Sequence, residues 1–95
     1  MLSLQDIIDN MTIVAKEYPI KKAELFGSYA NGGYTSDSDV DILLEFTTPR
    51  VSLLMINNIK YRLEDLLKKN VDVVHGPLPD DSMIEVDRRV LIYGA

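Results

Sequence analysis

Two acidic residues and a Gly-Ser pair in the first half of the chain have the types and spacing of a metal-dependent nucleotide site. Asp39 and Asp41 are two residues apart in an apolar segment, so on a β-strand their side chains would project from the same face. Carboxylates held together repel each other, and a divalent cation between them is the usual resolution. Gly27 would let a phosphate approach the backbone, and Ser28 adds a hydroxyl where a following helical turn would direct N–H groups toward an anion.

A third acid lies in a later apolar run. Asp72 interrupts a run of valines at residues 71–74. Burying a lone carboxylate in such an apolar strand would cost free energy unless it had a partner. If that strand lies beside the strand of Asp39 and Asp41, three carboxylates would meet and bind Mg²⁺, which prefers oxygen ligands and nucleotide phosphates. Two such ions would support in-line displacement, one bridging a triphosphate beside Ser28 and one lowering the pKa of the attacking hydroxyl. Asp72 would bind the second ion and is a candidate base for the nucleophile.

Helices and strands alternate along the chain. Apolar residues at helical spacing predict one helix from about Leu4 to Tyr18 and another from the cap Ser52 to about Lys68, with Glu64 and Lys68 spaced for an ion pair. This order predicts an α/β (α+β) fold, a mixed β-sheet flanked by helices, in a single domain over residues 1–95. The predicted strands are 20–26, 39–46, 71–74 and 90–93, and a short helix is expected from residue 80 or 81 to about residue 88.

Composition limits the other functions of this 95-residue chain. Its net charge of −5 argues against a broad basic surface, so we expect no direct nucleic-acid binding. The chain has no cysteine, which excludes disulfides and a thiolate metal site. The first residues lack the features of a signal peptide and no apolar run is long enough to span a membrane, so we expect a cytoplasmic protein. A domain this small has little chain to enclose a substrate, and a partner protein or a second copy would complete the site.

The Gly-Ser pair and the three acids together resemble a known signature. Gly27-Ser28, followed after ten residues by Asp39-Val40-Asp41-Ile42, is similar to the signature of the nucleotidyltransferase superfamily that includes DNA polymerase β. Val71-Asp72-Val73 resembles that superfamily's third-acid strand. The short length and the sequence Leu-Phe-Gly-Ser-Tyr-Ala at residues 25–30 resemble the minimal nucleotidyltransferases (MNT), which are often encoded beside a HEPN-domain protein. The resemblance extends from residue 23 to residue 93.

That resemblance implies a polymerase β-like core, Mg²⁺ with ATP as substrate, and transfer of AMP to an acceptor. In MNT–HEPN pairs it implies antitoxin action, by AMP transfer to a tyrosine of the HEPN ribonuclease toxin. By position, Gly27 and Ser28 would bind triphosphate, while Asp39, Asp41 and Asp72 would be the catalytic and metal-binding residues.

One departure keeps a second hypothesis open. Asn31 stands where many relatives have arginine, and the missing cation would weaken phosphate or partner contacts. The chain could therefore be a catalytically weak antitoxin that neutralises its partner by complex formation. Transfer to RNA or to a small molecule fits less well, because those enzymes usually have an additional domain for the acceptor.

Several of these residues also have purely structural interpretations. Gly27-Ser28 alone is typical of a turn that ends a strand, and Asp72 alone is more often an acid satisfied by a neighbouring group. His75, in a Gly-Pro turn, is more typical of a structural residue than of a base. Arg88 and Arg89 are more typical of a solvated helix end than of a phosphate clamp.

Overall fold

Two helices and four strands make up the part of the chain that the computed structural model describes, which is residues 2–27, 29, 32, 38–76 and 89–94. The bounds agree with the predicted ones to within one or two residues. The predicted short helix near residues 80–88, Ser28 and Asn31 lie outside the described residues. In chain order the elements are α1 (Leu4–Glu17), β1 (Ile20–Phe26), β2 (Val40–Phe46), α2 (Leu53–Leu67), β3 (Val71–His75) and β4 (Val90–Tyr93).

Local capping residues set the starts of both helices. The Ser3 Oγ accepts a hydrogen bond from the Asp6 N–H at 3.1 Å, and the Asp6 carboxylate accepts one from the Ser3 N–H at 3.0 Å. This reciprocal pair satisfies backbone donors that an uncapped helix would leave without partners. In α2 the Ser52 Oγ accepts from the Met55 N–H at 3.1 Å. Helix α1 ends at Glu17, and the next residue, Tyr18, is extended because the residue before a proline, here Pro19, avoids helical geometry.

The end of α2 differs from the prediction. Lys68 has φ 57° and ψ 36°, a left-handed conformation, and caps the helix rather than extending it. Its ammonium lies 3.7 Å from the Asp65 carboxylate, and the Glu64 carboxylate accepts a hydrogen bond from the Val71 N–H at 3.0 Å. The predicted Glu64–Lys68 pair is therefore wrong, because the chain reverses at Lys68. The bond that Glu64 makes instead ties the end of α2 to the first residue of β3.

The sheet is mixed, with strand order β3-β2-β1-β4. β1 is antiparallel to both β2 and β4, and β2 is parallel to β3. The two helices cover one face of this sheet, where a single apolar core joins residues from all six described elements. The predicted α+β fold with a mixed sheet and flanking helices is confirmed.

The two faces of the sheet differ in polarity because side chains alternate along each strand. Ile42 and Leu44 of β2 are fully buried against α1 and α2, together with Leu25 of β1. The opposite face, called the polar face below, carries the charged side chains Lys22, Glu24, Asp41, Glu45 and Asp72, beside the apolar Phe26 and the buried Leu43. Neither α1 nor α2, the helices of the described residues, is long and apolar enough to cross a membrane.

Candidate functional site

Asp41 and Asp72 are neighbours on the polar face. β2 and β3 run parallel and in register, pairing Val40 with Val71 and Asp41 with Asp72, at the spacing of about 4.8 Å between adjacent strands. Asp41 is half-buried, and Asp72 is exposed. The strand of the third acid, β3, therefore does lie beside β2, the strand of Asp41. This pairing joins two acids that are 31 positions apart in the sequence.

The surroundings of Asp41 raise the pKa of its carboxyl group. Burial raises the pKa of the Asp41 carboxyl above its usual value of 3.8, and the negative charge of Asp72 raises it further. A hydrogen bond between the two carboxyl groups also raises this pKa, and Asp39 makes the smallest contribution. The surroundings of Asp41 therefore disfavour its ionised form, and perturbed pKa values of this kind are common at functional sites.

The turn after β1 packs directly against Asp41. β1 and β2 pair Phe26 with Asp41, and Gly27 follows with φ +73°, a conformation that favours glycine. A Cβ atom at Gly27 would overlap the Asp41 carboxylate oxygen Oδ2. Glycine is therefore required at position 27 for two reasons: its backbone conformation is left-handed, and the Asp41 carboxylate occupies the space that a Cβ atom would need. The predicted phosphate turn and the predicted metal ligand are in contact in the folded chain.

Asp39 lies outside the strand ladder that holds the other two acids. It is exposed and lies one residue before β2, whose first residue, Val40, donates its N–H to the Asn70 carbonyl at 3.0 Å. In the described ranges no group of three or more His, Cys, Asp or Glu side chains is close enough together to hold a metal ion. Among these residues the structure thus brings Asp41 and Asp72 together, without a third acid close enough to complete a metal-binding group.

The paired carboxylates have the donor chemistry that Mg²⁺ requires. Asp41 and Asp72 present hard oxygen atoms from adjacent strands, and a divalent cation would relieve the repulsion that raises the pKa of Asp41. Mg²⁺ commonly takes one or two protein carboxylates and fills its other positions with water and phosphate oxygen. Asp41 and Asp72 therefore fit Mg²⁺ as ligands. Asp39 is close enough for its negative charge to raise the pKa of Asp41.

His75 has a structural role at the other end of β3. Its ring lies edge-on to the ring of Phe46, with centroids 5.2 Å apart. Asp72 is near the start of the same strand, so His75 lies away from the paired acids Asp41 and Asp72. The aromatic contact accounts for this histidine without a catalytic role.

A second charged group on the polar face was missed by sequence reasoning. The Glu24 carboxylate oxygen Oε1 lies 3.5 Å from the Lys22 ammonium and 3.6 Å from the Arg89 guanidinium. The alternation of Lys22, Glu24 and Phe26 with buried Ala23 and Leu25 was the available signal, because it places a carboxylate on the same face as Asp41. The pairing with Arg89 depends on β4, which no local pattern places beside β1.

Comparisons with known proteins agree with this fold and site. The profile of the family described as Nucleotidyltransferase domain matches residues 11–92. Protein adenylyltransferase MntA of Thermococcus cleftensis is 38% identical over 97 aligned residues, which cover 98% of this chain and 97% of that protein. A Methanocaldococcus jannaschii protein with the provisional name of protein adenylyltransferase is 40% identical over 93 residues, covering 95% of this chain and 93% of that one.

Solved structures show the same fold at lower sequence identity. A chain from a crystal structure of a toxin–antitoxin with AMP-PNP has a TM-score of 0.74 at 20% identity, covering 93% of this chain and 73% of that chain. A chain from the tri-AMPylated Shewanella oneidensis HEPN toxin in complex with its MNT antitoxin has a TM-score of 0.68 at 18% identity, covering 97% and 73%.

The mixed sheet with its paired acids and the family match define an enzyme class, the nucleotidyltransferases. Within that class, the chain belongs to the minimal nucleotidyltransferases whose relatives include the MntA protein adenylyltransferases. The resemblance noted in the sequence is thereby confirmed.

Proposed function

We propose that this chain is a cytoplasmic antitoxin that transfers AMP from ATP, with Mg²⁺, to a tyrosine hydroxyl of a partner HEPN-domain toxin. The observation that carries the proposal is the in-register pairing of Asp41 with Asp72, with the Gly27 turn packed against Asp41. The similarity to a protein adenylyltransferase supports AMP transfer. The solved complex of an AMPylated HEPN toxin with an MNT antitoxin, which has the same fold, supports the kind of partner.

The chain's own residues divide the work of this reaction. Asp41 and Asp72 would hold Mg²⁺ from the paired strands, with Asp39 as the third ligand predicted from the sequence, and the turn of Gly27 and Ser28 would bind the triphosphate. Bound there, Mg²⁺ would supply neutralisation of phosphate charge and a lower pKa at the attacking hydroxyl. The exposed Asp72 carboxylate would accept the tyrosine proton. As the tyrosine oxygen bonds to the α-phosphorus of ATP, the bond from that phosphorus to the bridging oxygen breaks and pyrophosphate leaves.

A transfer assay tests this proposal. The chain is incubated with Mg²⁺, ATP labelled at the α-phosphate and the HEPN-domain protein encoded by a neighbouring gene, and label on that protein is measured. We expect label on a tyrosine, and its loss in a variant with Asp39→Asn and Asp41→Asn. Asp65→Asn is the matched control, because Asp65 is an acid on α2 that is 71% exposed. Full transfer by the double variant would refute the assigned chemistry.

A second candidate function is neutralisation by complex formation with little catalysis. It is favoured by the finding that the acids of the described residues do not form a group of three, and by Asn31 in place of the usual arginine. Growth of cells producing the HEPN toxin separates the two functions. Full rescue by the Asp39→Asn, Asp41→Asn variant would favour binding, whereas loss of rescue with retained complex formation would favour AMP transfer.

A further inference from the structure

Strand register places an arginine at the same end of the polar face as the paired acids. β1 and β4 pair Leu25 with Val90, so Arg89 comes beside Phe26 in the continued antiparallel register. Phe26 in turn pairs with Asp41. The backbone of Arg89 therefore lies in one cross-strand row with those of Asp41 and Asp72, and two strand spacings place it about 10 Å from that of Asp41.

The phosphate turn lies between these two groups. Gly27 directly follows Phe26 at the end of β1, and β1 is flanked by β2 on one side and by β4 on the other. An anion held at this turn would therefore have Asp41 on one side and Arg89 on the other. We propose that Arg89 binds the triphosphate of the nucleotide, supplying a cation from the start of β4. This inference rests on the proposed function and names a further substrate-binding residue for it.

The surroundings of Arg89 suit a guanidinium that exchanges partners. Its side chain is 45% exposed, so it can reach a ligand in solvent, while Glu24 beside it is only 13% exposed. A nearly buried carboxylate is costly to leave without a cation. Lys22, 3.5 Å from the same carboxylate oxygen, stays in place as a partner when Arg89 turns to phosphate. Arginine also binds phosphate oxygen in a bidentate way that lysine cannot reproduce.

Binding of AMP-PNP with Mg²⁺, measured by calorimetry, tests the role of Arg89 without turnover. Arg89→Ala should weaken the Kd for AMP-PNP by about 10- to 100-fold, the usual effect of losing a hydrogen bond to a charged group. Adenosine, which lacks phosphate, should bind as it does to the unaltered protein. Arg89→Lys should recover part of the affinity. Arg62→Ala is the matched control, because Arg62 is 37% exposed and paired with Glu17 on the helical side.

The outcomes separate this inference from the proposed function. Unchanged AMP-PNP affinity in Arg89→Ala, or equal weakening for AMP-PNP and adenosine, would overturn the role of Arg89 while leaving AMP transfer intact. Absence of AMP-PNP binding by the unaltered protein would overturn both. If Arg89→Ala does not fold, Glu24→Gln provides the test, since releasing Arg89 from Glu24 should tighten AMP-PNP binding. Unchanged or weaker binding of AMP-PNP by a folded Glu24→Gln variant would contradict the inference.

Discussion

Replacement of Gly27 by alanine should damage the site through Asp41, and a second glycine offers a control. Gly27 and Gly32 have φ +73° and +81°, so alanine at either position carries the left-handed backbone penalty of about 1–2 kcal/mol. Of these two positions, Gly27 is the one where the new Cβ would overlap the Asp41 carboxylate, since no atom of the described residues lies within 4 Å of a Cβ at Gly32. Moving that carboxylate off its rotamer adds about 0.5–1.5 kcal/mol.

Two assays separate the backbone penalty from the displaced carboxylate. Urea unfolding with a chelator present should give a free energy of unfolding about 1.5–3.5 kcal/mol lower for Gly27→Ala, and about 1–2 kcal/mol lower for Gly32→Ala. AMP transfer should fall about 100-fold in Gly27→Ala, since a misplacement near 1 Å has effects of that order. Equal loss of transfer in the two variants would refute the reasoning.

A double-mutant cycle tests the overlap directly. A Cβ at Gly27 would lie 3.2 Å from the Asp41 Cγ but 3.5 Å from its Cβ, which is ordinary contact. In an Asp41→Ala background, Gly27→Ala should therefore lower the free energy of unfolding only as much as Gly32→Ala does. Contacting residues of this kind show non-additive effects. Additive effects of Gly27→Ala and Asp41→Ala would mean that the carboxylate is not the obstacle.

Three further predictions concern stability. Asp41→Asn should raise the free energy of unfolding of the metal-free protein at neutral pH, because the folded-state pKa of Asp41 is raised above 3.8. In the unaltered protein, ionisation of Asp41 lowers the free energy of unfolding as pH rises from 3.8 through the raised pKa. The difference in free energy of unfolding between the two proteins, measured by urea titration, should therefore be largest at neutral pH and close on acidification. A difference independent of pH would contradict this. Ser52→Ala should lower the free energy of unfolding by about 1 kcal/mol through loss of the cap on the Met55 N–H, whereas Ser52→Asp should retain the stability, and equal losses in both would exclude capping as the cause. Lys68→Gly should be about 1 kcal/mol more stable than Lys68→Ala, since only glycine relieves the left-handed conformation at φ 57°; thermal unfolding with the reverse order would argue against strain at this cap.

The sequence by itself determined the local elements and the kinds of chemistry they carry. Ser3, Ser52 and Pro19 delimit helices through bonds and sterics within a few residues, so their effects could be predicted without a fold. Strand alternation likewise predicts that Asp41 and Ile42 face opposite ways. The left-handed cap at Lys68 was not predictable, because a lysine seldom adopts that conformation and the tertiary fold imposes it there.

Only the tertiary structure decided which of these residues meet. The contact of Asp41 with Asp72 depends on β3 lying parallel to β2 in one register, and a shift by one residue would move Asp72 to the core face. The contact of Gly27 with Asp41, and that of Glu24 with Arg89, depend in the same way on antiparallel pairings across β1. Strand order and register follow from burying one shared apolar face, a property of the whole chain that no single motif contains.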